Sequence, residues 1–244
     1  MNTIVLFSLI LVSAVAAGMV QSVAGFGSGI VLSLAFSRIF GIDVAPVLNT
    51  SICIYLTATL TWRYRKSVQW RKIVLPLVPY ILFSVGSILL IRWLNLRVLG
   101  ILYGCFLLFL AVFYLFLTKR IRVKPTVPTA VFCGGISGVF SGLFGVGGPI
   151  LALYLLETAS TRIQYIADSQ CIFTIINICN MITRIANGMY TAELLPYTAV
   201  GILGISVGRR LGLSFAEKID QDNFKRIIYC IVGISGIITL SRYL

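Results

Sequence analysis

Histidine is absent from the 244 residues, and aspartate and glutamate together number 7. Without imidazole there is no His-ligated metal site and no Ser-His-Asp triad. So few carboxylates also remove most two-carboxylate hydrolase schemes. The chain therefore reads as a non-enzyme with no cofactor. Charge of either sign is scarce: 11% of residues are charged, against about 25% in soluble domains. A soluble domain of this size could not cover its surface with so few charges. No GxxxxGK[ST] loop is present, so no phosphate-binding motif links the chain to nucleotide hydrolysis. The 6 cysteines form no CxxC pair. Cys53, Cys105, Cys133, Cys171, Cys179 and Cys230 all fall in apolar stretches and read as buried thiols filling space between helices. The N-terminus is apolar from Ile4, with no basic region before it, and is expected to be retained rather than cleaved.

What is present is apolar. Hydrophobic residues make up 59% of the chain, while Lys and Arg give a net charge of +13. The basic residues stand in short runs between long apolar segments. That is the pattern of cytoplasmic loops in a membrane protein, not of a nucleic-acid binder. At about 20 apolar residues per span, the candidate segments are 3–36, 44–61, 73–92, 98–117, 129–156, 164–186, 193–213 and 224–244. Segments 3–36 and 129–156 are too long for one helix, and glycines interrupt each, as GFGSG (Gly25 to Gly29) and GVGGP (Gly145 to Pro149). The basic linker 118–128 divides residues 1–117 from residues 129–244.

These two halves repeat. An offset of 119 lays GIVLSLAF from Gly29 on GPILALYL from Gly148, Asn49-Thr50-Ser51 on Asp168-Ser169-Gln170, and Arg65 on Arg184. Charge orients the repeats. If all eight segments span, Lys and Arg divide eleven to nine across the membrane. If each glycine-broken segment instead dips in and returns, the division is fifteen to five, a proper positive-inside bias. The expectation is an all-α integral membrane protein with two inverted repeats of about four hydrophobic segments, each holding a re-entrant broken helix. The loops 62–72, 118–128 and 209–226 are then cytoplasmic. Residues 3–24 could also span alone, which gives seven spans. Paired breaks in an internal repeat point to a transport site at the repeat interface.

Candidate site residues follow from the breaks. A half-helix starting in mid-membrane aims unpaired N–H groups at an anion. This nominates Gly25, Phe26, Gly27, Ser28 and Gly29 with Gly145, Gly147, Gly148 and Pro149. The bland account is close helix packing through small residues. Beyond the second break, Gln170, Thr174, Asn177, Met181 and Arg184 share one helical face. The first repeat offers Asn49, Ser51 and Tyr55, then Ala58, Trp62 and Arg65. A polar stripe on an apolar helix lines a path or bonds helices together. Arg65 and Arg184 either snorkel to headgroups or attract an anion at a pathway mouth. Asp168 could carry a coupling proton or cap its helix.

With these elements in hand, GMVQSVAGFGSG, the Asn49-Thr50-Ser51 start and GGISGVFSGLFGVGGP resemble the sulfite exporter TauE/SafE family, also called the four-toluene-sulfonate uptake permeases. The resemblance covers essentially the whole chain. It implies a multi-pass carrier of the bacterial inner membrane for small organic or sulfur-containing anions of the sulfite, sulfonate or sulfoacetate class, often an exporter. Its partners would be the anion and the lipid bilayer, with no nucleic acid. A coupling proton or sodium ion and a homodimer are compatible with it. An anion channel and a membrane-embedded assembly subunit are the other readings.

Overall fold

The computed structural model describes residues 2–117, 124–215 and 221–244. Part of the 118–128 linker therefore lies outside the described residues, as do residues 216–220 of the basic 209–226 stretch. Regular structure among the described residues is helical: α1 (Thr3–Ala24), α2 (Ser28–Ile39), α3 (Ala45–Tyr64), α4 (Trp70–Leu90), α5 (Leu96–Val112), α6 (Val127–Phe144), α7 (Gly148–Thr158), α8 (Arg162–Ala186), α9 (Leu195–Phe215) and α10 (Gln221–Tyr243). A π-helical turn, Phe113–Leu117, extends α5. The segment 3–36 divides into α1 and α2, and 129–156 into α6 and α7. The other six segments each form one helix. Five stretches, Thr3–Ala24, Trp70–Trp93, Leu96–Phe116, Val127–Phe144 and Arg162–Ala186, are long and apolar enough to cross a membrane. The protein is an all-α integral membrane protein.

Its outer surface is what lipid requires. Large apolar side chains such as Val12, Leu82, Phe132, Ile182 and Leu203 are exposed, where a soluble protein would place charge. All three tryptophans, Trp62, Trp70 and Trp93, are exposed at helix ends, where amphipathic rings sit at headgroup level. The space-filling reading of the cysteines holds for Cys53, Cys133 and Cys171. It fails for Cys105 and Cys230, which are exposed among lipid-facing apolar residues, and Cys179 is half-buried. Apolar periodicity cannot separate a lipid-facing position from a core one, because both are apolar.

Helix directions follow from which residues meet. Thr61 meets Thr174 at 2.9 Å and Gln69 meets Asp168 at 2.7 Å, so α3 and α8 run antiparallel. Gln21 and Gly25 meet Gln170 and Tyr165, so α1 also opposes α8. Helices α1 and α3 therefore run the same way, and α2 makes the return between them. The 22 residues of α1 extend about 33 Å and the 12 of α2 about 18 Å.

Two other pairings are parallel and very close. Gly204, Gly208 and Gly212 of α9 sit on the backbone of α1 at Leu11, Val15 and Met19. Gly134, Gly138 and Gly142 of α6 sit on α4 at Pro76, Tyr80 and Ser84. A Cβ at Gly208 or Gly142 would overlap the facing carbonyl oxygen, of Val15 or Ser84. In lipid, where apolar surface gains nothing by leaving the solvent, such close backbone approach is the main source of helix attraction. Helices α5 and α10 are antiparallel, with Gly100 and Gly104 against Tyr243 and Leu240. Each strong pairing thus joins one helix from residues 1–117 to one from residues 127–243.

Candidate functional site

The site forms where the two glycine breaks meet. Helix α1 stops at Gly25, whose φ of 81° is left-handed backbone, and Gly27 has φ of 110°. Both hold the hairpin turn into α2. Glutamine side chains close this turn. Gln21 Oε1 accepts from Ser28 N at 3.0 Å and from Ser28 Oγ at 2.7 Å. Gln21 Nε2 donates to Gln170 Oε1 at 2.9 Å, and Gln170 Nε2 donates to the Gly25 carbonyl at 2.6 Å. The first N–H of α2 is thereby occupied by a side chain seven residues back. These bonds replace the partners that the broken backbone lost.

The second break turns at Gly145, with φ of 71°. Helix α7 then starts at Gly148 with Pro149 in its first turn and no side-chain cap. The residue matching Gln21 under the repeat offset is Phe140, which cannot cap it. One half-helix start is plugged and the other is open. Asn49 ties the two tips together. Its Nδ2 lies 3.0 Å from Gly29 O, 2.9 Å from Ser33 Oγ and 3.2 Å from Gly145 O. Ser33 Oγ donates to Phe144 O at 2.6 Å.

Between the tips is a cavity of about 40 Å³. Holding one water takes roughly 10–15 Å³, so the space fits about three waters or a small oxyanion. Backbone from Gly27 to Gly29 and from Gly145 to Pro149 lines it, with Ser28, Thr57, Tyr80, Ser141 and Asn177. Among the described residues no charged side chain lines it. Among the described residues the Asn177 amide has no hydrogen-bond partner, and it lines this space. Phe173, Ile176 and Ile30 form the apolar remainder of the wall.

Of the residues nominated by sequence, Gly27, Ser28, Gly29, Gly145, Gly147, Gly148, Pro149 and Asn177 line the cavity. Gly25, Asn49 and Gln170 stand behind it and hold its walls. Phe26 is buried beside it, its Cβ next to Gly148 and its ring 5.9 Å from that of Tyr114. The others lie elsewhere. Ser51 Oγ bonds Leu48 O and Thr198 on α9. Thr174 bonds Gln170 O and Thr61. Tyr55 packs at the edge of the α1–α3–α9 core. Asp168 is internal to α8, whose own cap is Thr161. Its Oδ1 accepts the Gln69 N–H just before α4. Arg65 is exposed, its guanidinium 4.1 Å from the Trp62 ring. Arg184 does not snorkel: it is 0% exposed, with Nη2 donating to Gly142 O at 2.8 Å.

Sequence reasoning did not find Gln21, Thr57, Tyr80 or Ser141. Gln21 could have been found, as an amide four residues before Gly25 in an otherwise apolar helix. Tyr80 carried a fainter signal, following two prolines, Pro76 and Pro79, inside α4. Its hydroxyl lies against Gly147, where a Cβ would displace it.

The surroundings of the two breaks differ in openness. Beside the first, Val23, Ala24, Leu156, Ser160, Arg162 and Tyr165 line a recess of about 310 Å³. Tyr165 closes its inner end against Gly25. The offset of 119 carries Leu156, Thr161 and Tyr165 of this recess to Ser37, Ile42 and Pro46. There the side chains leave no room for water.

Broken hairpins meeting around a polar cavity inside a multi-pass bundle define a membrane transporter rather than an enzyme. The chain belongs to the sulfite exporter TauE/SafE family, whose family model matches residues 10–239. It is also similar to a probable membrane transporter protein of Methanocaldococcus jannaschii, 21% identical, with 97% of this chain and 96% of that protein covered. No solved structure matches the chain.

Proposed function

We propose that the protein is a secondary carrier that exports small organic or sulfur-containing oxyanions of the sulfite, sulfonate or sulfoacetate class across the bacterial inner membrane by alternating access. The observation that carries this reading is the cavity between the breaks. Into it face the uncapped start of α7, the Asn177 amide and the Tyr80 hydroxyl, with no carboxylate among them. Such a lining supplies hydrogen-bond donors and the positive end of a helix dipole, which suits an anion and disfavours a cation. Neutral donors bind an oxyanion firmly enough to strip its water yet weakly enough to release it.

The helix directions support inverted repeats over residues 1–117 and 129–244, since α1 and α3 oppose α8 and α4 runs with α6. The unequal recesses support a state open toward the side of the basic 62–72 loop and shut on the other. If that basic side is cytoplasmic, the anion loads from inside.

The test is counterflow of ³⁵S-sulfite in liposomes holding the purified protein. Saturable counterflow is expected, and Gly148→Val is expected to abolish it while the protein still inserts, because the added methyls enter the cavity. Sulfite flux without saturable counterflow would indicate a channel. Unchanged affinity in Gly148→Val would mean that the breaks serve packing alone.

A further inference from the structure

Arg184 is the largest fully buried side chain among the described residues. It occupies the last turn of α8 at 0% exposure. Nη2 donates to Gly142 O at 2.8 Å, while Nε and Nη1 have no partner. None of the described carboxylates pairs with it. A guanidinium carries five N–H donors and stays charged. Burying one without an anion is among the costliest arrangements available inside a membrane. Part of that cost is offset locally. Arg184 lies near the carbonyl ends of two helices, α8 ending at Ala186 and α6 at Phe144, and such ends favour a cation. Helix ends do not, however, fill the open donors on Nε and Nη1.

The position of the residue gives those donors a use. Gly142, which holds Nη2, adjoins Ser141 of the cavity lining. One turn nearer the cavity on α8, Asn180 is buried, donating to Ser141 Oγ at 3.2 Å and accepting from Ser84 Oγ at 2.7 Å. Asn177 follows and faces the cavity. Arg184, Asn180 and Asn177 thus step from the far end of α8 down to the cavity along one helical face. The matching residue of the first repeat, Arg65, is exposed and rests on Trp62. Among the described residues, the fully buried cation therefore lies on the side away from the 310 Å³ recess.

We propose that Arg184 forms a second oxyanion site, which receives the anion from the cavity on its way to the side where α8 ends. This rests on the anion-carrier reading above. Attraction by a full charge draws the anion off the neutral donors of the cavity, and the Asn180–Ser141 step shortens the move between the two sites. Placing the cation on one side gives the pathway a direction that two equivalent half-sites would lack.

Equilibrium binding of ³⁵S-sulfite under anaerobic conditions to the whole protein in nanodiscs tests this. The parent is expected to bind two sulfites per chain and Arg184→Gln one. Arg184→Lys is expected to keep both, with one weakened about tenfold for loss of the planar fork. Asn177→Ala is expected to weaken the other. One sulfite in the parent, unchanged in Arg184→Gln, would overturn the proposal and leave the cavity reading standing. No binding in the parent would overturn both. If the glutamine variant does not fold, the lysine variant decides: parental affinity at both sites would make Arg184 a structural pin.

Discussion

Asn177 and Gln170 lie two turns apart on α8, and both are uncharged amides, yet they should fail in different ways. Asn177 bonds none of the described residues and lines the cavity. Its truncation to alanine leaves no protein group unpaired, so stability should stay within about 0.5 kcal/mol of the parent. What is lost is one donor to the anion. Water entering the space recovers part of that, which leaves about 1–2 kcal/mol, or roughly a 5- to 30-fold weaker affinity. Gln170→Ala does the reverse. It strands the Gly25 carbonyl and Gln21 Nε2, both buried. At about 1–3 kcal/mol for each orphaned group, the loss is about 2–6 kcal/mol of stability, with the first break free to reopen. Thermal unfolding in detergent and sulfite counterflow, measured on both variants, separate the two effects. If Asn177→Ala unfolds as early as Gln170→Ala, or keeps parental affinity, then this face holds helices together and the anion passes elsewhere.

Three further outcomes follow from the geometry. Gly147→Ala drives a methyl into the Tyr80 hydroxyl and the Ser137 carbonyl and should destabilise the protein by about 1–3 kcal/mol, whereas Gly148→Ala meets only Phe173 and Phe26 carbons at 3.3 Å and should fold normally; thermal unfolding checks the contrast. Asp168→Asn retains an acceptor for Gln69 N–H and lies outside the cavity, so affinity and pH-gradient-driven accumulation should both match the parent; losing only the gradient response would make Asp168 the proton carrier. In a background without native cysteines, Lys66→Cys should label only from the cytoplasm and Thr191→Cys only from outside, and labelling of both from one side would refute the topology.

The breaks could be read from the sequence because glycine clusters inside apolar runs have few physical uses. The stripe on α8 could be read too, as polar residues at spacings of three and four. What each stripe residue does could not be read. Gln170 and Asn177 are equivalent by pattern, but one meets Gly25, 145 residues away, and the other meets open space. The repeat offset also misled, because it preserves helical face and not neighbours. Ser51, the counterpart of Gln170, turns toward Thr198 on α9. Tyr80 was hidden because the pairing of α4 with α6 is set by glycines on α6, and no local pattern in α4 announces its partner.

The reciprocal pairing of α1 with α9 and of α4 with α6 has a consequence for biogenesis. During synthesis α1 enters the bilayer long before its glycine-studded partner exists, and must remain there without its main contact until α9 emerges. The halves 1–117 and 129–244 are contiguous along the chain but interleaved in space, so neither can complete its own packing. Severing the chain within residues 118–128 while both pieces are made together should therefore still permit assembly. Either piece made alone would present an open face where the other's glycines belong, which marks it for degradation rather than for transport.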